Sequence, residues 1–266
     1  MNPTDQTRLE RAGAILECSL VPWDSEIFGF PVAQISRVEL AEDAQPAELL
    51  DAFEAWCVSH KVRLVSSRLD HMQLRESMAL EELGFRFVET VYRPRLDAFG
   101  SVAAPRHDIQ VAEATPADVA VIEEIAYTSF TTGRFLLDHR LPSELSKRRY
   151  STWVRTSSES PRQTVLKAEV GGNLVGFFIV EHRPDQSVYW HLTAIAPKWQ
   201  GKGMGMSLWQ TMLLRHRAEG ASFVETTISG HNLPIINLYA RLGFSFGSAQ
   251  MTFHWVREPV EPVGRS

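Results

Sequence analysis

The stretch Ser187–Met206, SVYWHLTAIAPKWQGKGMGM, decides the fold of this chain. Its first part, rich in β-branched and aromatic residues from Val188 to Ile195, predicts a strand, and a turn with glycines at 201, 203 and 205 leads into a helix that begins near Gly203. Glycines leave the unpaired N–H groups of a helix start open to a ligand, and the helix dipole and Lys202 add positive charge. The turn is therefore suited to hold a phosphate group.

The spacing of these glycines excludes two common phosphate-binding motifs. It lacks the GxxxxGK[ST] pattern of a P-loop, and Leu208 stands where the dinucleotide-binding GxGxxG pattern needs its third glycine. What remains is Gln200-x-x-Gly203-x-Gly205, which resembles the acetyl-CoA pyrophosphate loop of the GNAT acetyltransferase superfamily. Taken alone, such a turn is more often an ordinary tight turn, so the interpretation depends on residues elsewhere.

Two downstream residues strengthen the resemblance. Asn232 begins the helix after the next predicted strand, and Tyr239 lies seven residues later, two turns along and on about the same face. With them the chain is similar to the superfamily over about residues 108–256. The predicted fold class is therefore α/β, with a central mixed sheet of the GNAT type flanked by helices and a smaller N-terminal α/β domain.

The resemblance implies a role for each residue of this region. In the superfamily the strand before the turn is splayed from its neighbour, and its backbone pairs with the pantetheine arm of acetyl-CoA. The matching residues here are Thr193, Ala194 and Ile195. The residues expected to hold the pyrophosphate are Gln200, Gly201, Lys202, Gly203, Met204, Gly205 and Met206. Asn232 is expected to contact the arm, and Tyr239 to protonate the departing thiolate, with acetyl-CoA as cosubstrate.

A tyrosine suits the role of proton donor. Its phenol, with an ordinary pKa of about 10, is protonated at neutral pH and can protonate the CoA thiolate. The attacking amine must lose a proton to a base or a water chain, and backbone N–H groups must stabilise the developing oxyanion. Gln200 stands where arginine is also common in the superfamily, so Lys202 and the helix dipole must supply more of the attraction for phosphate.

The composition and net charge argue against several other classes of function. The 266 residues include 27 Lys and Arg against 32 Asp and Glu, and the net charge of -5 argues against a broad nucleic-acid-binding surface. The longest apolar run is interrupted by Gly176, and the N-terminus lacks an apolar segment, so we expect no membrane span and a cytoplasmic location. Cys18 and Cys57 have no metal-type spacing, and we expect no metal site.

The sequence also predicts a division of the chain into two domains. The N-terminal half alternates strands and helices, with WDSEIFGF at 23–30 as a loop and a strand from Phe85 to Leu96. Residues 97–107 lack periodicity and are predicted as a linker. We therefore divide the chain into an N-terminal α/β domain, 1–105, and a GNAT-type domain, 106–266, whose sheet is closed by a strand at Met251–Val256.

A short repeat relates the two halves. LeuGlyPhe occurs at 83–85 and again at 242–244, each time after a predicted helix and before a predicted strand. The first half has no glycine between Val38 and Pro46, and Leu80 stands where Tyr239 stands in the second, so it cannot hold a pyrophosphate in the same way. It is either a degenerate copy that shapes the substrate side or an unrelated domain with a similar helix cap, and the sequence leaves both open.

Over its full length the chain resembles one branch of the superfamily, the dTDP-fucosamine acetyltransferase type, which N-acetylates an amino sugar on a nucleotide carrier. The matching segments are WDSEIFGF, the LGFRFVE that begins at Leu83, and GRF at 133–135 with Trp153 downstream. The resemblance makes Glu89 the candidate base, acting through water; the alternative is a solvent-facing carboxylate on a strand. Arg134 is a candidate substrate residue that either clamps a phosphate or pairs with a local acid.

Other bases and other functions stay open. His191 is a competing base, although a hydrogen-bonded structural histidine is the simpler interpretation, and Glu225 and His231 are weaker candidates. The expected activity is direct acetyl transfer to a small-molecule primary amine, in the first place a nucleotide-linked amino sugar. A peptide or protein amine, a small metabolite amine and a non-catalytic CoA-binding module are the alternatives. The sequence also leaves a homodimer open.

Overall fold

The computed structural model describes residues 6–97 and 99–257. The elements before residue 100 are β1 (Thr7–Arg11), β2 (Ala14–Leu20), α1 (Pro22–Phe28), β3 (Val32–Leu40), α2 (Pro46–Ser59), β4 (Leu64–Asp70), α3 (Leu74–Glu82), β5 (Arg86–Tyr92) and β6 (Pro94–Leu96). Those after it are β7 (Gln110–Glu113), α4 (Pro116–Ser129), α5 (Arg134–Leu137), α6 (Ser143–Ser158), β8 (Thr164–Val170), β9 (Asn173–His182), β10 (Ser187–Ile195), α7 (Met204–Ala218), β11 (Phe223–Thr226), β12 (Ile228–Ser229), α8 (Leu233–Arg241), β13 (Ser245–Phe246) and β14 (Gln250–Val256). Among the described residues, every helix is too short or too polar to cross a bilayer.

The chain divides into two compact units. The first unit contains the described residues up to Val91, the segment Arg134–Leu145 and the described residues from Ser248 on. The second contains Tyr92–Gly133 and Ser146–Gly247. This grouping differs from the continuous division at residue 105, because two segments from the later part of the chain fold with the first unit.

Six strands of the first unit form a mixed sheet in the order β1-β2-β3-β4-β14-β5. β3 and β4 are parallel, and the other neighbours are antiparallel. One face of this sheet packs on α2 around Leu16, Phe53, Phe85 and Phe253. Because β14 lies between β4 and β5, the prediction that Met251–Val256 closes the sheet of the second half is wrong.

The second unit contains a mixed sheet in the order β13-β6-β11-β10-β9-β8-β7. Only β10 and β11 are parallel among its described pairs. A cluster with Trp190, Trp209 and Phe178 buries the face that packs on α7 and α8, and a second cluster with Ile122 and Val154 buries the face that packs on α4 and α6. The predicted strand from Phe85 to Leu96 is therefore two strands, since β6 pairs with β11 in this sheet.

The two units repeat one topological motif. In the first, β3 is joined through α2 to its parallel neighbour β4 and then to α3; in the second, β10 is joined through α7 to its parallel neighbour β11 and then to α8. Each motif ends at the LeuGlyPhe repeat, where Gly84 and Gly243 have φ values of 83° and 85°. A left-handed residue of this kind ends a helix, and glycine adopts it without steric strain.

The segment WDSEIFGF is helical where a loop was expected. α1 begins at Pro22, which suits a first helical turn, and ends at Gly29, whose φ of 74° stops the helix. Its aromatic residues anchor it, since Phe28 and Phe30 pack with Phe135 in an apolar cluster of the first unit. Seven residues give too little periodicity to identify a helix from the sequence.

Candidate active site

The strand β10 separates from its parallel neighbour before it reaches the glycine turn. β10 pairs with β11 only over Ser187–Trp190, although on its other side it pairs with β9 as far as Ile195. A bulge in the β9 pairing falls between Trp190 and Leu192, at the point where the two parallel strands part. Such irregularities bend a strand and end its pairing. The end of β10 is therefore open on the β11 side.

The alternation of the strand identifies which backbone groups face this opening. The N–H of Ala196 donates to the carbonyl of Val175 on β9, at 2.9 Å. Because successive residues of a strand direct their N–H and C=O groups to opposite sides, Thr193 and Ile195 direct theirs away from β9. The N–H and C=O groups of Thr193 and the N–H group of Ile195 can therefore pair with an extended ligand that lies along β10.

The glycine turn presents the start of α7 without covering side chains. Gly201 and Gly203 have φ values of 72° and 76°, and no atom lies within 4 Å of a Cβ added at either position. Gly203 is the N-cap, so no side chain caps the helix, and the first turn of α7 contains no acidic residue. The N–H groups of Met204, Gly205 and Met206 are therefore available to an anion.

Two lysines and a glutamine complete the turn. Lys198 and Lys202 place their ammonium groups 6.0 and 5.5 Å from the centre of the Trp199 ring, and they give the turn a positive charge. Gln200 donates from Nε2 to the carbonyl of Ile195 at 3.0 Å. This hydrogen bond connects the turn to the open strand and uses the Ile195 carbonyl as its acceptor. The sequence did not predict this role for Gln200.

Tyr239 lies at the point where the strands separate. It is 1% exposed on α8, and its hydroxyl faces the side chains of Trp209, Thr226 and Thr193. Thr226 in turn donates to the carbonyl of Trp190, the last residue of β10 that pairs with β11. Burial raises the pKa of Tyr239, so its phenol stays protonated at every pH near neutrality.

Asn232 is the N-cap of α8. Its side-chain oxygen accepts a 3.4 Å hydrogen bond from the N–H of Ile235. This contact fixes the start of the helix that carries Tyr239, because an N-cap satisfies an unpaired N–H of the first turn. The contact of Asn232 with the cofactor arm, which the sequence resemblance implies, stays a prediction.

Gly176 of β9 is a structural requirement that the sequence did not reveal. A Cβ at this position would lie 2.6 Å from the carbonyl oxygen of Ala194 and 2.9 Å from a methyl group of Leu208. The glycine therefore lets β9, β10 and α7 approach closely where the open strand ends. In the sequence it only interrupts an apolar run.

Of the three competing base candidates in the second unit, His191 and Glu225 have side-chain partners. His191 lies at the bulge, and its Nε2 is 2.7 Å from Oε2 of Glu181. Burial lowers the pKa of His191, an effect that Glu181 partly opposes, so the imidazole is neutral at pH 7. Glu225 forms ion pairs with Arg95 and Arg183, whereas the side chain of His231 is exposed.

The remaining two candidates from the sequence, Glu89 and Arg134, belong to the first unit. Glu89 lies on β5 opposite Thr252, beside a bulge between Thr252 and Phe253, and it is 3% exposed. The alternative of a solvent-facing carboxylate is therefore wrong. Arg134 is the first residue of α5, and its guanidinium lies 4.6 Å from the ring centre of Phe135.

One cluster of metal-ligating residue types occurs among the described residues, formed by His182, His216 and Glu219. His216 is buried, and its Nε2 accepts a hydrogen bond from the Trp190 indole at 3.1 Å. Burial lowers the pKa of His216 to about 4, so the neutral ring carries its proton on Nδ1, which faces Glu219 at 3.0 Å. A protonated Nδ1 cannot ligate a metal, so this arrangement favours a structural hydrogen bond.

Comparison with known proteins relates this site to a family. Residues 123–244, which include the open strand, the turn and Tyr239, match the model of the Acetyltransferase (GNAT) family. Members of that family use acetyl-CoA as the acetyl donor. The turn fits such a donor, since it offers uncovered N–H groups and two lysines to a pyrophosphate, and the open strand offers backbone groups to an extended arm.

Two curated relatives match about half of the chain. The L-2,4-diaminobutyric acid acetyltransferase of Nocardia farcinica is 36% identical over 49% of this chain and 64% of its own length. The spore coat polysaccharide biosynthesis protein SpsD of Bacillus subtilis is 24% identical over 52% of this chain and 48% of its own length. The chain thus spans less than two thirds of either relative.

A solved structure matches nearly the whole chain. The tandem GNAT protein from the clavulanic acid biosynthesis pathway superposes with a TM-score of 0.60 over 94% of this chain and 80% of its own, at 15% identity. This likeness concerns the fold alone. The predicted mixed α/β fold of the GNAT type is confirmed, and both halves are GNAT-like.

Proposed function

We propose that this chain is an acetyl-CoA-dependent N-acetyltransferase that transfers the acetyl group directly to a primary amine. The observation that carries the proposal is the position of Tyr239, whose buried hydroxyl lies where β10 and β11 part, next to Thr193 of the open strand. A proton donor is needed there when a thiolate leaves a ligand that lies along this strand. A non-catalytic CoA-binding module would not need one.

Different residues of the second unit bind acetyl-CoA and donate the proton. Acetyl-CoA supplies the activated acetyl group. The N–H groups at the start of α7 and the ammonium of Lys202 bind the pyrophosphate, and the backbone of Thr193 and Ile195 orients the arm. An N–H of this open strand edge stabilises the oxyanion that develops on the acetyl carbonyl. The hydroxyl of Tyr239 then donates its proton to the sulfur of the leaving thiolate.

We assign the general base to Glu89, which takes a proton from the amine through a water molecule. Replacing it in Glu89→Gln is expected to lower kcat by about a hundredfold, because general base catalysis contributes at least that much. The KM for acetyl-CoA should stay unchanged, since Glu89 is not among the residues proposed to bind it. Initial rates at varied concentrations of each substrate measure both constants.

Glu82→Gln is the matched control, because it removes an exposed carboxylate from the same unit and should leave both constants unchanged. Loss of acetyl-CoA binding in Glu89→Gln would contradict the assignment of Glu89 as the general base. A loss of kcat in His191→Gln with full activity in Glu89→Gln would transfer the role to His191, which Glu181 orients at 2.7 Å.

For the acceptor we favour an amino sugar on a nucleotide carrier. This choice is supported by the resemblance of WDSEIFGF and GRF to the branch that acetylates such sugars, and by the similarity to a polysaccharide biosynthesis protein. The similarity to a diaminobutyric acid acetyltransferase favours a small metabolite amine as the second candidate. A homodimer and a cytoplasmic location stay predictions from the sequence.

A panel of amines tests the acceptor class. The protein is incubated with acetyl-CoA and one amine at a time, and the released thiol is measured. The amines are dTDP- and UDP-linked amino sugars, L-2,4-diaminobutyrate, a polyamine and a peptide with a free N-terminus. The proposal expects the highest kcat/KM for an amino-sugar nucleotide. A preference for diaminobutyrate or the peptide would change the assigned acceptor but leave the proposed acetyl transfer standing. Mass spectrometry of the product locates the acetyl group.

A further inference from the structure

The second unit contains a polar pair that the proposed transfer to an amine does not use. Nε2 of His191 lies 2.7 Å from Oε2 of Glu181, and both residues belong to this unit. The side chain of His191 is 17% exposed. Burial lowers the pKa of His191, so the ring is neutral at pH 7, and its one proton lies on Nε2, facing the carboxylate. Nδ1 therefore carries the lone pair.

Nδ1 of His191 makes no hydrogen bond to a residue within 6–97 or 99–257. The two nitrogens of an imidazole direct their hydrogen bonds along widely divergent lines, so Nδ1 is directed away from Glu181. His216 is different, because both of its nitrogens are bonded, to Trp190 and Glu219. A partly exposed, neutral imidazole whose other nitrogen is held by a carboxylate is the arrangement of a general base.

His191 lies where the strand β10 becomes open. Trp190 is the last residue of β10 that pairs with β11, and the bulge in the pairing with β9 falls at His191. Thr193, whose side chain faces the hydroxyl of Tyr239, is two residues further on, roughly 7 Å along a strand. His191 and the proposed proton donor therefore lie near the same end of the open strand.

The two groups lie on opposite faces of the sheet. Tyr239 packs against Trp190, with 6.3 Å between ring centres, in the cluster that α7 and α8 cover. The ring of His191 lies 6.4 Å from that of Trp153, which packs on the cluster that α4 and α6 cover. A thioester at the open edge of β10 can therefore meet a base on one face and an acid on the other.

The chemistry of this base suits an oxygen nucleophile. The proton of the amine is assigned to Glu89, and a neutral amine can attack a thioester without a base in direct contact. Water is a weaker nucleophile, and it attacks efficiently only while a base removes its proton. An imidazole that a carboxylate orients is such a base in hydrolases.

We propose that the second unit also hydrolyses acetyl-CoA, with His191 as the general base for water and Glu181 as its positioning residue. The inference rests on the acetyl-CoA site of the proposed function. Nδ1 of His191 takes a proton from water as the water oxygen bonds to the acetyl carbonyl carbon. The bond from that carbon to sulfur then breaks, and Tyr239 donates its proton to the thiolate. Acetic acid and CoA leave, and the proton on His191 returns through solvent to the Tyr239 phenolate.

Hydrolysis is measured as thiol release from acetyl-CoA without an amine, and in 18O-enriched water the acetate formed should carry 18O. We expect His191→Gln to lower this rate about a hundredfold, because general base catalysis contributes at least that much. Glutamine places its amide near the position of Nε2, so the variant keeps a donor for Glu181 and loses only the base. Glu181→Gln should lower the rate about tenfold or more, since a neutral amide stabilises the imidazolium less well.

His182→Gln is the matched control, because it replaces an exposed histidine next to Glu181 and should keep the wild-type rate of hydrolysis. Circular dichroism and the Tm show that each variant is folded, and calorimetric titration shows that it binds CoA. Wild-type hydrolysis in a folded His191→Gln would overturn the proposal.

The pH profile of hydrolysis separates a base from a residue that only supports the fold. The reaction needs the neutral imidazole, so the wild-type rate should fall as His191 takes up a proton at acidic pH. Burial, Arg183 and Arg162 lower the pKa of His191, and Glu181 opposes them, so the fall should begin below the ordinary pKa of histidine. The residual rate of His191→Gln should not show this fall. The same acid limb in both proteins would overturn the assignment of His191.

A spectroscopic titration tests the position of Nδ1 without turnover. The probe is the carba analogue of acetyl-CoA, in which a CH2 group replaces the sulfur, so that it cannot be hydrolysed. In protein with 15N-labelled histidines, the analogue should shift the Nδ1 resonance of His191 and leave that of His182 in place. The His191→Gln spectrum identifies the signal. An unshifted His191 in protein that calorimetry shows to bind the analogue would overturn the proposal.

The outcomes distinguish this inference from the proposed function. If an amine is acetylated but acetyl-CoA is hydrolysed no faster than in buffer, the proposed function stands and the inference falls. If acetyl-CoA is hydrolysed through His191 but no amine is acetylated, the inference stands and the proposed transfer to an amine falls. If acetyl-CoA is neither hydrolysed nor used to acetylate an amine, both fall.

Discussion

Replacing Tyr239 by phenylalanine is expected to lower kcat by about a hundredfold or more, because the leaving thiolate loses its proton donor. The ring of Tyr239 packs against Trp190 and Phe244, and phenylalanine retains these contacts, so the fold and the KM for acetyl-CoA should be nearly unchanged. This pattern identifies a contact that is made mainly in the transition state. Steady-state rates with the preferred amine measure it.

The pH dependence of kcat gives a second test of Tyr239 as the proton donor. Burial raises the pKa of Tyr239, so the wild-type enzyme keeps the protonated phenol as the pH rises, and the donor alone predicts no loss of kcat up to about pH 10. Tyr92→Phe removes a phenol from a partly buried tyrosine elsewhere in the second unit and should leave kcat unchanged. Equal activity in Tyr239→Phe and wild type would remove Tyr239 from the mechanism.

Gly176→Ala is expected to cause a large loss of both stability and acetyl-CoA binding. The new Cβ would lie 2.6 Å from the carbonyl oxygen of Ala194, a backbone atom that cannot move without moving β10. Overpacking of a buried site costs about 1–3 kcal/mol, and a contact with backbone lies at the upper end. The displaced residues include Thr193 and Ile195, whose backbone is proposed to orient the cofactor arm.

Gly100→Ala is the matched control, because no atom lies within 4 Å of its added Cβ and its φ is not in the left-handed region. Urea denaturation gives the free energy of unfolding of both variants, and calorimetric titration with acetyl-CoA gives the affinity of the folded protein. Wild-type stability and affinity in Gly176→Ala would show that β9 and β10 are not held as closely as described.

The strand, turn and helix around the glycines could be predicted because their signals are local. The β-branched run, the glycines at 201, 203 and 205 and the start of the following helix lie within twenty residues, and the observed β10 and α7 match them. The position of Tyr239 followed from a family pattern. Its burial and its place at the separation of β10 and β11 required the tertiary structure.

What the sequence could not predict depends on contacts between distant segments. The pattern of Met251–Val256 predicts a strand, but periodicity does not determine its neighbours, and β14 inserts between β4 and β5. Arg93 breaks the predicted strand 85–96 because β6 joins the sheet of the second unit. The bond from Gln200 to the Ile195 carbonyl and the pairing of Asp138 with His254 are likewise visible only after folding.

The central claim is that the open strand and the glycine turn bind acetyl-CoA so that Tyr239 can protonate its leaving thiolate. The most direct test is a single-turnover measurement of thiol release from enzyme-bound acetyl-CoA, with wild type and Tyr239→Phe compared at saturating amine. The account predicts amine-dependent release by wild type and release about a hundredfold slower by the variant, with both proteins binding acetyl-CoA equally well. No amine-dependent release by wild type, or equal rates in the two proteins, would contradict it.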